Sequence, residues 1–222
     1  MSSLPALTNF FNAYHQAYQE QLNECPRFFA KGEHSDCILD EVNLTQDEPV
    51  QWVSVIRDEA GNFDNLNQAL KISLHTDIDA LYGHYFSGPL MFDSSWGQGE
   101  ILQVWNQNDF ECLQQNIIGH LMMKKKLKQP LTWFIGVFDE NDTMITVNND
   151  DGSVWIEKPG EVQSTCLADS LNDFISQLTP RVSPAKTYHE LEEAMEGAAD
   201  HPGIWQRFKS MYQHLRESLR GR

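Results

Sequence analysis

The sequence predicts an α+β fold: one compact domain over residues 1–180 and a helical extension over residues 181–222. Three observations carry this. Two long stretches, 4–22 and 108–123, repeat apolar residues at helical spacing, and between and after them short apolar runs are separated by tight-turn signals. At 222 residues the chain suits one sizeable domain with an appendage, and its composition changes after residue 180.

Taken in order, Leu4, Leu7, Phe11, Tyr14, Tyr18 and Leu22 recur at three- and four-residue steps, with Pro5 tolerable in the first turn. "NECPRF" closes this helix, and residues 30–49 read as polar and turn-rich. "VQWVSVI" (50–56) predicts one strand, and short helices are expected around 66–70 and 78–85. "GPLMFD" (88–93) and "EILQVWN" (100–106) flank a reversal at "SSWGQG". Asn108 and Glu111 have capping-box spacing for the second long helix, and Asp109 suits its positive N-terminal end. Phe110, Leu113, Ile117, Ile118, Leu121 and Met122 form its apolar stripe. Lys124 would continue that buried face at a high desolvation cost, so the helix is expected to end or leave the body near Lys125, its lysines favoured by the C-terminal dipole. Gln129-Pro130 forbids continuation.

A meander of three strands follows at 131–138, 143–148 and 153–157, then a closing helix over 167–178 that stops at Thr179-Pro180. "RVSPAK" reads as a linker, Thr187 and Glu190 cap a short acidic helix, and "HPG" (201–203) breaks it. Ile204, Trp205, Phe208, Met211, Tyr212, Leu215 and Leu219 line a final basic helix, expected to dock back on the domain rather than insert in a membrane surface.

Charge limits the function classes. The chain holds 16 Lys and Arg against 32 Asp and Glu, a net charge of −16. This opposes general nucleic-acid binding and adsorption to a bare anionic leaflet, and favours a basic partner. Residues 72–123 contain no Lys or Arg but hold Asp77, Asp79, Asp93, Glu100, Asp109 and Glu111; residues 129–157 repeat the pattern. Residues 1–203 carry 11 basic and 31 acidic side chains, residues 204–222 five basic and one acidic. Ordinary soluble surfaces intersperse both signs, whereas a large one-sign surface steers an oppositely charged partner.

The apolar runs around 117–123 and 133–138 fall far short of the ~20 residues of a membrane span. "MSSLPALTNFF" lacks the charged and apolar regions of a secretory signal, and Cys25, Cys37, Cys112 and Cys166 form no CxxC, so free thiols in a cytosolic protein are expected. Catalytic motifs are weak. "DENDTMITVNND" lacks the glycine and glutamate of a calcium loop; "HTDID" (75–79) and "HSDC" (34–37) have no partner cluster; His120 reads as a packed, hydrogen-bonded core histidine. There is no GxSxG, P-loop or GxGxxG. A binding protein without metal, cofactor or small-molecule substrate is expected, with a hydrolase built on His75 or His84 far less favoured.

The central block "ILQVWNQNDFECLQQNIIGHLMMKKKLKQPLTWFI" (101–135), with "HYFSGPL" (84–90), "NNDDGSVWIEKPG" (148–160) and "LADSLNDFISQLTP" (167–180) in the same order, resembles the Syd family of SecY-interacting proteins. The likeness spans residues 4–180 and leaves 181–222 beyond it. It implies a SUKH-type α+β domain with a mixed or antiparallel sheet flanked by helices. It also implies loose docking on the cytoplasmic face of the inner membrane through SecY, whose improperly complexed form the family monitors or restrains with an acidic concave face. The cytoplasmic loops of membrane proteins are rich in Lys and Arg, which fits an acidic partner. An immunity-type binder of a basic toxin is the alternative, since the SUKH fold hosts such proteins. Within the basic-free segment the expected SecY-binding carboxylates are Asp77, Asp79, Asp93, Glu100 and Glu111. His84, Tyr85 and Trp96 would supply contact area, and Asp109 is the weakest candidate because its helix-start position already explains it.

Overall fold

The computed structural model describes residues 2–30, 32–39, 48–139 and 143–185. The sequence readings for residues 40–47 and 140–142, and for both helices expected beyond residue 186, lie outside the described residues.

Helix α1 (Leu4–Leu22) forms where its periodicity places it, with Pro5 in the first turn and Ala6, Leu7, Phe10, Phe11, Tyr14 and Tyr18 buried. Asn23 ends it in the left-handed region at φ 53°, its N–H donating to the Gln19 carbonyl. Two small ladders follow. Strand β1 (Arg27–Phe28) pairs with β2 (Val50–Gln51), and β3 (Val55–Ile56) pairs with β4 (Tyr85–Phe86), all antiparallel. The single strand expected over 50–56 is therefore two, because its ends bond to different partners. Between β3 and β4 lie helices α2 (Asp64–Leu70) and α3 (Asp77–Tyr82); α3 stops at Gly83, so Tyr85 belongs to a strand rather than to the helix expected over 78–85.

The main sheet has seven strands in the order β10-β9-β8-β7-β6-β5-β11, and every pairing in it is antiparallel. Its hairpin joins β5 (Leu90–Ser94) to β6 (Gly97–Ile101) through Ser95-Trp96, with Gly97 at φ 131°. Strand β6 thus begins inside the stretch read as a loop and ends where a strand was expected to start, because Gly97-Gln98-Gly99 offers no apolar alternation to read. Strands β7 (Thr132–Phe138), β8 (Met144–Asn148) and β9 (Val154–Glu157) are the expected meander. Burial of nearly every residue of β7 shows both of its faces covered, which explains its unbroken apolar run. At Gly136 the β7–β8 register shifts, and a Cβ there would lie 2.2 Å from the Glu100 carbonyl, so only glycine lets β6 approach this closely. Residues 165–168 form strand β10 (Thr165–Ala168), so Leu167 lies on the sheet, and helix α5 spans only Leu171–Ser176. Strand β11 (Thr179–Pro180) closes the edge beside β5, where Pro180 is tolerated.

Helix α4 (Gln107–Lys126) starts one residue before the expected cap. Asn106 accepts from the Asp109 N–H at 2.9 Å, and the Asp109 carboxylate accepts from the Trp105 N–H at 2.9 Å. The larger difference is at its other end. The helix does end near Lys125, at Lys126, but not because Lys124 is kept out of the body: its side chain is fully buried, with Nζ 3.1 Å from Glu157 Oε1 and donating to the Glu161 carbonyl at 3.0 Å. A carboxylate on β9 offsets the desolvation that argued against burial. Thr132 and Thr146 donate to Glu157 Oε2 at 2.9 and 3.3 Å. Since Thr132 gives its proton to Glu157, the 2.9 Å contact with His120 Nε2 runs from ring N–H to hydroxyl. Lys125 caps α2 by donating to the Leu70 carbonyl, and Lys128, at φ 55°, turns the chain away before Pro130.

His120 is the packed core histidine that the sequence implied. Burial, helped by the Lys124 charge, pushes its pKa down to about 3. The folded state keeps it neutral while the unfolded chain takes up a proton near pH 6.5, so its contribution is present above that pH and is lost as pH falls toward the folded value. The stability margin of wild type over His120→Asn should therefore shrink by about 1.4 kcal/mol per pH unit below pH ~6.5. Urea unfolding at pH 7.5 and 5.5 measures this, and an unchanged margin would contradict the buried neutral imidazole.

Candidate functional site

The N-terminal helix, the β1–β2 ladder, the hairpin face of β5–β6 and the start of α4 enclose a groove of about 540 Å³. Its apolar lining comes from Tyr14, Tyr18, Phe28, Trp52, Met91 and Trp105, and its carboxylates from Glu33, Glu100 and Asp109. The Arg27 guanidinium also lines it and is held 3.0 Å from Glu24.

Each part has a local cause. On β5 and β6 the alternation turns Leu90, Phe92 and Ile101 into the core and leaves Met91 and its cross-strand partner Glu100 facing the groove. Trp105 packs at a tilt of 50° against Phe28 with ring centroids 4.9 Å apart and donates from Nε1 to the Glu33 carbonyl, while Asn106 donates to the His34 carbonyl at 2.7 Å. These bonds hold residues 33–34 against the start of α4 and so set Glu33 beside Asp109. Partial desolvation raises the Asp109 carboxyl above the usual range; the Trp105 N–H opposes this and the Glu33 charge adds to it. Burial likewise raises the Tyr14 hydroxyl, with Tyr18 and the Glu100 charge contributing. The far wall is fixed by Tyr18, whose hydroxyl donates to the Ser183 carbonyl at 2.7 Å and accepts from the Ser183 N–H at 3.1 Å. Negative charge beside flat aromatic surface is the chemistry that holds a lysine or arginine side chain with its apolar stem.

Of the residues selected from sequence, Glu100 lines this groove. Asp93 lies on the same strand face as Met91 and accepts from Gln98 at 2.8 Å; Glu111 is exposed, accepts from Gln107, and adjoins the groove-lining Cys112. Asp77 is not brought to them. It is buried, accepting from the Ser3 N–H at 3.1 Å and lying 3.6 Å from His75, so it anchors the start of α1. Asp79 accepts from the Phe63 N–H at 2.9 Å, and its partial burial raises its carboxyl. Both helix-start carboxylates serve the backbone of another segment. His84 is half-buried and its carbonyl accepts from the Arg57 N–H; the Tyr85 hydroxyl meets Thr8 at 2.9 Å, and Trp96 stacks on Phe174. None of these three lines the groove. Glu33, Tyr18, Phe28 and Trp105 were not selected from sequence, since no local pattern shows that segments more than 70 residues apart converge. The one signal in the sequence was Asp109, the weakest candidate because its helix-start position explained it; its carboxylate both accepts from the Trp105 N–H and lines the groove.

The described cysteines are all free thiols. No helix among the described residues is long and apolar enough to cross a membrane.

Residues 4–180 match the family model described as Syd protein (SUKH-2). The chain is 59% identical to "Protein Syd" of Shewanella piezotolerans over 215 residues, covering 97% of this chain and 99% of that protein. It is 59% identical to the protein of the same name from Shewanella halifaxensis over 216 residues, with 97% and 99% covered. For the Shewanella loihica protein the identity is 57% over 219 residues, with 97% and 98% covered.

Proposed function

Because the chain belongs to the Syd protein (SUKH-2) family, a family of SecY-interacting proteins, we propose that it binds SecY from the cytoplasmic side and restrains or monitors translocon that is improperly assembled. The observation that carries this is the groove: Glu33, Glu100 and Asp109 stand around the rings of Tyr18, Phe28 and Trp105. A basic cytoplasmic loop enters with its charged ends on the carboxylates and its alkyl stems on the rings. Asp93 and Glu111 extend the negative field along the approach and act on association rate. The remaining acidic surface, at a net charge of −16, keeps the protein off bare anionic lipid, so its residence at the membrane is peripheral and through protein contact.

The same groove chemistry suits a basic toxin, so the experiment must separate the two partners. Affinity-tagged chain is mixed with detergent-solubilised membranes and, separately, with the soluble fraction. Recovery of SecY, together with binding to SecY-containing vesicles but not to protein-free anionic vesicles at physiological salt, is the expected result. Recovery of a soluble nuclease without SecY would assign the immunity-type role, and equal binding to both vesicle types would remove the protein-contact mechanism.

A further inference from the structure

The groove has a second candidate occupant within the same chain. Its wall ends in Ser183, Pro184 and Ala185, held down by Tyr18, so the polypeptide leaves the described domain from the rim of the groove. Beyond that exit, residues 204–222 carry five basic side chains and one acidic, while residues 1–203 carry 11 basic and 31 acidic. The same short segment brings Trp205, Phe208, Met211 and Tyr212. Cationic side chains alternating with aromatic ones are the complement of a carboxylate-and-ring groove.

We propose that residues 204–222 are an intramolecular ligand of the groove and compete with its external partner. The competition with SecY rests on the function proposed above; the occupancy itself does not. Chain length allows it. The 18 residues over 186–203 reach about 27 Å at the 1.5 Å rise of a helix and about 60 Å at ~3.3 Å per extended residue, and either covers the distance from the rim back into a groove of this size. Tethering at that range gives an effective concentration on the order of 1 mM. A segment with an intrinsic Kd of about 0.1 mM would then occupy the groove some ~90% of the time and weaken an external ligand about tenfold. A SecY loop that binds the groove would displace it.

Cys112, exposed on the groove, and Cys166, exposed on β10 at the other edge of the sheet, provide a natural probe and an internal reference. The experiment uses the full chain and two variants: Trp205→Ser/Phe208→Ser, which leaves every charge in place, and Arg207→Gln/Lys209→Gln/Arg216→Gln. N-ethylmaleimide labelling is followed at each cysteine by peptide mass spectrometry, and binding of a basic SecY-loop peptide is titrated in parallel. The expected result is a several-fold rise in the Cys112 rate in both variants with Cys166 unchanged, and about tenfold tighter peptide binding. Equal Cys112 rates in all three proteins would overturn the proposal. So would a loss of anionic-vesicle binding in the variants without any change at Cys112, which would make the segment a membrane element. An unmasked Cys112 with no SecY-peptide binding by any of the proteins would support the intramolecular ligand and remove the SecY assignment of the groove. Tight but identical peptide binding with unchanged Cys112 would do the reverse.

Discussion

Lys124→Met should be among the most destabilising single substitutions in the domain, at about 3–5 kcal/mol. The side chain that replaces it fits an apolar site, so the loss comes from what is left behind. Glu157 would be fully buried with two threonine hydroxyls and no cation. Burial already raises its carboxyl, with Lys124 as the largest opposing influence. Without the lysine that pKa climbs further, and the sign of the pH dependence follows. A carboxyl whose folded pKa is raised contributes stability that is present below its unfolded value near 4.3 and is lost as pH rises through the folded value. The deficit of Lys124→Met relative to wild type should therefore be larger at pH 8 than at pH 5.5. His120, 3.7 Å from Glu157, can recover part of it by taking a proton once Lys124 no longer depresses its pKa. Lys124→Met/Glu157→Gln should regain most of the loss, because removing both charges leaves no uncompensated ion. Denaturant midpoints of the three proteins at the two pH values measure this. A single variant within ~1 kcal/mol of wild type would mean the pair contributes only what an exposed ion pair does.

This pair also marks where sequence reasoning reached its limit. The periodicity that located α1, the α4 stripe and the β7–β9 meander is local, and those elements stand where it put them. An isolated lysine at position 124 would indeed leave the core; Glu157, 33 positions later on strand β9, is what keeps it there. Elsewhere, too, a partner distant in sequence decided what the local pattern left open. Asp77 and Asp79 are expected on the binding rim, but backbone N–H groups of Ser3 and Phe63 claim them. Residues 97–99 carry two glycines and a glutamine, so nothing marks them as strand until β7 is placed beside them. The absence of Lys and Arg between 72 and 123 did point toward Glu100. It carried no information on Glu33 or on the rings of Phe28 and Trp105, which reach the groove by chain reversals.

Glu33→Lys/Glu100→Lys should weaken SecY binding by roughly 30- to 100-fold at physiological salt while leaving the fold intact. Removing one exposed charge is worth about 1 kcal/mol or less. Reversal does more, since each lysine both removes an attraction and repels the incoming cation, so the pair is expected to cost about 2–3 kcal/mol, where 1.4 kcal/mol is tenfold in Kd. Glu33 is exposed and held through its backbone carbonyl, and Glu100 is partly exposed on the groove face of β6, so neither lysine has to enter the core; circular dichroism checks the fold of the variant. Asp109 is left unaltered because its carboxylate also satisfies the Trp105 N–H. The change in net charge alone needs a control, and Glu161→Lys/Asp169→Lys supplies the same change, with Asp169 just beyond the β10 edge of the sheet. Strand β10 lies four strands from β6, roughly 19 Å at about 4.8 Å per strand, which exceeds the ~8 Å screening length of physiological salt. If long-range field alone recruits SecY, the two double variants should lose affinity equally and both should regain parity with wild type at high salt. If the groove is the contact, the Glu33/Glu100 variant should fall far below the control at physiological salt. It should stay below wild type at high salt, because the repelling lysines stand in the bound interface. Wild-type affinity in the Glu33/Glu100 variant would exclude the groove as the SecY site.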